Sequence, residues 1–166
     1  MLSREHGGAV MNDLNIRGGR AEDLDAMLAL LPRLADFPLP PGRAAEDTYR
    51  GDGKTLKAWA KDREPQCRVT VAEDRAGLLG FTLVRLQPEF MSGAPSAHLE
   101  VIIIDPRADG TGLGKTLLER AEAMVVAEGA QSMTLHVFAN NERARSLYDR
   151  FGYSGELLRY VKRFPA

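Results

Sequence analysis

Three alternating glycines, Gly110, Gly112 and Gly114, precede Lys115 and Thr116 where an apolar run ending at Ile104 gives way to a helical pattern. Backbone without Cβ atoms at a strand-to-helix junction lets a ligand approach closely, and the first amides of the helix have no partner within it. A phosphate is the natural occupant of such a cradle. The second feature is Glu100, the single charge within the run Leu99 to Ile104. A carboxylate sharing a face with Ile102 and Ile104 should be partly desolvated, as a proton acceptor working near neutral pH must be. The plainer reading, a carboxylate tied to a neighbouring arginine, stays open. His98 and His136 are weaker candidates, because a lone strand histidine is usually structural or solvent-facing.

Spacing separates the ways of holding a phosphate. A P-loop needs a glycine five residues before Gly114, and that position is Asp109. A dinucleotide loop needs a glycine three residues after Gly112, and that position is Lys115. Both patterns fail.

The elements that must position these residues follow from periodicity. A short strand is expected over Leu14 to Arg17, and a helix over Ala21 to Ala35 with Leu24, Met27, Leu28 and Leu31 on one face. The proline- and glycine-rich stretch Asp36 to Gly53 reads as a long loop with one helical turn. Cys67 to Ala72 and Leu78 to Leu86 read as a hairpin, and Leu99 to Ile104 as a strand covered on both faces. A helix over Leu113 to Glu128, a strand over Ser132 to Phe138, a helix over Asn141 to Phe151 and a last strand over Glu156 to Lys162 complete the chain. The fold class is α/β with a mixed sheet: antiparallel strands first, then β-α-β-α-β. Residues 1–13 are expected to be a flexible lead-in and 14–166 a single domain.

Composition bounds the function. The 166 residues suit one domain, and 44% hydrophobic with 27% charged residues suits a folded globular chain. With 22 Lys and Arg against 23 Asp and Glu, the net charge of −1 gives no general attraction to nucleic acid or anionic membrane. No apolar run approaches membrane-spanning length, so the expected location is the cytoplasm. One cysteine, Cys67, permits no internal disulfide, and three scattered histidines offer no metal-ligand spacing, so no metal is expected.

Ile104-x-Pro106 followed by Gly110-x-Gly112-x-Gly114 resembles the cofactor loop of the GCN5-related N-acetyltransferases (GNAT). A second signature stands at the right distance: Leu135-x-Val137, Asn141, Ala144, Leu147-Tyr148 and Gly152-Tyr153. The resemblance covers roughly Leu14 to Lys162 and implies an N-acetyltransferase that carries the acetyl group of acetyl-CoA directly to a primary amine. It implies contacts to the cosubstrate from Ile102, Ile103, Ile104, Asp109, Gly110, Thr111, Gly112, Leu113, Gly114, Lys115, Asn141 and Tyr148. Backbone amides near Ile102 to Ile104 would polarise the acetyl carbonyl where this strand splays from the next. Glu100 matches the acidic residue that deprotonates the amine, and Tyr148 the tyrosine that serves the leaving thiolate; a core tyrosine beside Leu147 and Phe151 is equally consistent with spacing. Asn141 is also placed to cap the following helix.

One position departs from the pattern: the family usually carries Arg or Gln where this chain has Asp109. A carboxylate cannot pair with the diphosphate, so the amides of Gly110 to Gly114, the helix dipole and Lys115 are expected to hold it. The alternative function is an acyl-CoA-binding sensor without turnover. The acceptor's identity is not written in the variable loops, and exposed strand edges together with the family's habit suggest a homodimer.

Overall fold

The computed structural model describes residues 13–166, so residues 1–12 of the expected lead-in lie outside the described part. The chain divides into two compact units between His136 and Val137, each treated by itself.

The first unit is a five-stranded sheet: β1 (Asn15–Gly18), β2 (Cys67–Asp74), β3 (Gly77–Pro88), β4 (Pro95–Ile104) and β5 (Ser132–Leu135), hydrogen-bonded in that order. The first four strands are antiparallel, and β5 runs parallel to β4. A parallel partner needs a crossover, and α3 (Leu113–Ala127) supplies it. Helices α1 (Leu24–Leu30) and α2 (Arg50–Trp59) cover the other face. There Met27, Leu31 and Leu56 pack on Cys67, Val69, Val71, Phe81, Leu83, Val101 and Ile103. On the α3 face Leu113 and Leu117 pack on Ala72 and Leu79, with Ile102 and Ile104 alongside. The period of two along β4 thus splits Val101 and Ile103 from Ile102 and Ile104, which is why the run is apolar throughout.

Several expected elements differ in extent. The helix expected over Ala21 to Ala35 is α1 flanked by 3-10 turns at Ala21–Asp23 and Leu31–Ala35; Pro32 has no N–H to continue the α-helix. The expected loop over 36–53 contains a 3-10 turn, Ala45–Thr48, and then the start of α2. Gly51 and Gly53 read as breakers, yet they occupy the first turn of a helix that burying Leu56 stabilises. The strand expected over 132–138 stops at Leu135.

The second unit contains α4 (Glu142–Arg150), starting at Asn141, whose side-chain oxygen accepts from the Ala144 amide at 3.3 Å. No strand forms over 156–162: Leu157, Leu158, Tyr160 and Val161 are all exposed, and among the described residues no strand pairs with this segment.

Candidate active site

β4 is paired on both sides only as far as Leu99. Its pairs with β5 run from Ser96 opposite Ser132 to Leu99 opposite Leu135, whereas its pairs with β3 continue to Ile104. Among the described residues, no strand therefore pairs with the edge of β4 over 100–104 on the β5 side. The strand then runs directly into the glycine loop.

That loop is pinned from behind. Asp105 donates its amide to the Leu79 carbonyl at 2.7 Å and accepts the Arg107 amide at 2.8 Å, capping a 3-10 turn over Pro106–Ala108. The Arg107 guanidinium donates to the Leu78 carbonyl at 3.0 Å and pairs with Asp74 at 3.4 Å. Gly110 and Gly112 hold φ of 73° and 82°, left-handed values that favour glycine. A Cβ built on either meets nothing within 4 Å, so the loop leaves open space over its backbone. The first intrahelical bond, Thr116 amide to Gly112 carbonyl at 3.1 Å, leaves the amides of Leu113, Gly114 and Lys115 ahead of it at the positive end of α3. An open, amide-lined cradle at the start of a fifteen-residue helix fits a diphosphate.

Two loop side chains behave otherwise than expected. Lys115 lies 3.8 Å from Glu119 and is well exposed. Asp109 is not alone: Arg33, from the 3-10 turn after α1, donates to both its carboxylate oxygens at 3.3 Å.

Glu100 does not share a face with Ile102 and Ile104. Leu83 stands opposite Val101 and the next residue, Val84, opposite Leu99, so Glu100 is the extra residue of a β-bulge. The bulge turns its side chain to the α1–α2 face, where Oε1 accepts from Arg85 Nε at 2.6 Å. Arg85 stands directly opposite Cys67 on β2 and His98 on β4, and also donates to Glu64 at 2.8 Å. Asp52, in the first turn of α2 and four residues before buried Leu56, lies within reach of the Glu100 charge. Burial, reinforced by the charge of Glu100, pushes the Asp52 carboxyl up to about 7. The arginine tie considered for Glu100 is thus present, with Glu64 as the second carboxylate on the same guanidinium.

The nearby histidine and cysteine are not poised to react. Burial and the neighbouring His136 and Arg85 push His98 down to about 4, leaving it neutral, with Nδ1 at 2.7 Å from Thr134 Oγ1 and its ring 4.6 Å from that of His136. Burial pushes the Cys67 thiol up to about 11, which disfavours the nucleophilic thiolate. In the second unit Tyr148 stacks edge-on against Tyr153 at 5.8 Å, and burial raises its hydroxyl pKa.

Arg33, Asp52, Glu64 and Arg85 escaped sequence reasoning. Only Asp52 left a trace, its four-residue spacing to Leu56, hidden by the glycines on either side.

Residues 31–153 match the family model described as Acetyltransferase (GNAT) family. The chain belongs to this family. The expected fold class and acyltransferase class are borne out with it. A relative similar along nearly its whole length is the uncharacterized N-acetyltransferase YhfO of Bacillus subtilis, 30% identical over 92% of this chain and 99% of that protein. Mycothiol acetyltransferase of Beutenbergia cavernae is 31% identical over 82% of this chain but 43% of its own length, so the chain spans less than half of that relative. Among solved structures, the ribosomal-protein-alanine N-acetyltransferase of Brucella melitensis superposes with a TM-score of 0.65 at 19% identity, over 92% of this chain and 99% of that one; this likeness concerns the fold. GNAT acetyltransferases in general use acetyl-CoA. Among the described residues no helix is long and apolar enough to cross a membrane.

Proposed function

We propose that this GNAT chain moves the acetyl group of acetyl-CoA directly to a primary amine of a small molecule, a peptide or a protein. The observation that carries the reading is the unpaired β4 edge over 100–104, which has the glycine cradle at one end and the Glu100 bulge at the other. Acetyl-CoA supplies an acyl thioester. The cradle amides of 110 and 112–115 hold its diphosphate, and the free edge at Ile102 to Ile104 offers amides to the acetyl oxygen.

An amine is mostly protonated at neutral pH, with a pKa of about 10.4 for a lysine-like group, and must lose a proton before it attacks. Glu100, fixed by Arg85, accepts the ammonium's hydrogen bond, and Asp52, its carboxyl near 7, holds the released proton. The new N–C bond forms as the C–S bond breaks, and the departing sulfur takes up a proton, which the family resemblance assigns to the Tyr148 hydroxyl and the nitrogen's second proton replaces as the amide forms. Two carboxylates on one guanidinium leave a net negative charge, which favours a cationic acceptor. The high thiol pKa at Cys67 supports transfer without a covalent enzyme intermediate. Carboxylates at the far end of that edge, placed to take an amine's proton, have no use in a sensor, which makes turnover the better reading.

The test is CoA release with a panel of primary amines, beside acetyl-CoA binding by calorimetry. Glu100→Gln should bind acetyl-CoA as the wild type does and release CoA about 100-fold more slowly. Binding without release from any amine, in the wild type as in the variant, would support the sensor instead.

A further inference from the structure

We propose that Arg33 is the cationic ligand of the cosubstrate's diphosphate, delivered from the turn after α1 to a loop whose own side chain at that place is the carboxylate of Asp109. This inference rests on the acetyl-CoA reading above. The contact spans 76 residues of sequence and reaches the mouth of the glycine cradle. It is an under-used contact. A single nitrogen, Nη2, donates to both Asp109 oxygens at 3.3 Å, whereas a saturated guanidinium–carboxylate fork uses two nitrogens at about 2.8 Å. Nη1 lies 3.6 Å from Asp36, beyond hydrogen-bond reach.

The arginines nearby are spent on structure. Arg107 uses its guanidinium on Leu78, Asp74 and Asp105, and Arg85 uses its own on Glu100 and Glu64. Arg33 is the guanidinium at the loop with donors to spare, and its side chain is 27% exposed, reachable by a ligand but partly shielded from water. Lys115 is 62% exposed and leans on Glu119, a weaker position from which to hold an anion.

The charge arithmetic gives Arg33 two effects. It cancels Asp109, which alone would repel a diphosphate, and its free N–H groups bond the same anion. Removing Arg33 therefore costs more than one hydrogen bond, because it uncovers the opposing carboxylate, and removing Asp109 as well should restore part of the loss. Such reciprocity distinguishes a ligand from a packing residue.

The experiment is calorimetry of CoA, dephospho-CoA (which keeps the diphosphate but lacks the 3′-phosphate) and pantetheine on the wild type, Arg33→Ala, Asp109→Ala and the double variant. The expected result is CoA binding about 30-fold weaker in Arg33→Ala, the same fold loss with dephospho-CoA, and a smaller loss in the double variant than in Arg33→Ala. Pantetheine, without phosphate, should bind all four proteins alike. Melting of Arg33→Ala should stay within about 2 °C of the wild type, because exposed pairs contribute little to stability. Equal CoA affinity in Arg33→Ala, an equal loss with pantetheine, or a loss that disappears with dephospho-CoA would each overturn the proposal while leaving the acetyl-CoA reading standing. A wild type that binds none of the three would remove both.

Discussion

The glycine loop and the Glu100 cluster lie at the two ends of one unpaired strand edge, and they are built from different materials. The loop presents backbone: its side chains turn back to pin it, Arg107 to Leu78 and Asp74 and Thr111 Oγ1 to the Ala108 carbonyl at 2.6 Å, while the amides face open space. The cluster presents side chains: Arg85 of β3 joins Glu100 of β4 and Glu64 of the loop before β2, and Asp52 of α2 lies within reach of the Glu100 charge. On the proposed function, the backbone-built loop takes the cosubstrate that the family shares. A side-chain-built site is free to vary with the acceptor.

The contrast predicts where substitutions hurt. The largest effect is expected at Gly112, where a side chain would enter the open space over the cradle: Gly112→Trp should weaken acetyl-CoA binding at least 100-fold by calorimetry. Its fold should survive, with left-handed strain of about 1–2 kcal/mol lowering the melting temperature by several degrees. Asp52→Asn should do the reverse, leaving acetyl-CoA affinity unchanged while kcat falls about 100-fold in a CoA-release assay. Tyr148→Phe should lower kcat by about tenfold and leave acetyl-CoA affinity within twofold, since the ring that packs on Tyr153 is retained.

The smallest effect concerns stability. The Asp52 carboxyl titrates near 7 in the folded chain against an ordinary 3.8, so the folded state binds more protons throughout that window. Stability from this group is therefore lost as pH rises from about 4 through 7, the reverse of a salt-bridged aspartate. Asp52→Asn should melt with the wild type at pH 4 and a few degrees above it at pH 8, a gain of about 1 kcal/mol after allowance for solvent screening. Equal melting curves at pH 8 would show that Asp52 is not held protonated by its surroundings.

The difference in materials also explains what the sequence discloses. The glycine loop is local: the apolar run to Ile104, the glycine spacing and α3 lie within a few dozen residues, so reading along the chain finds them. The hairpin and α4 are legible for the same reason. The face of Glu100 is not, because a bulge opposite Leu83 and Val84 depends on the register of β3 against β4 and reverses the side chain without any local mark. Asp109 with Arg33, and Arg85 with Glu64, are partners across long separations, and no periodicity predicts them. Burial of Leu56 creates α2 in a stretch whose glycines argue against a helix. The segment 156–162 shows the converse: its strand-like composition is visible, but a strand exists only where a partner completes its hydrogen bonds.

Passage of the amine's proton to Glu100 and Asp52 is the central proposed step, and the most direct measurement is kcat/KM for acetyl-CoA against pH, at a saturating amine, in the wild type and Asp52→Asn. The predicted result is a wild-type rate that climbs through an apparent pKa near 7 as Asp52 loses its proton, and a variant whose much lower rate lacks that limb. The same limb at the same pH in both proteins would contradict it, because the proton would then be going elsewhere.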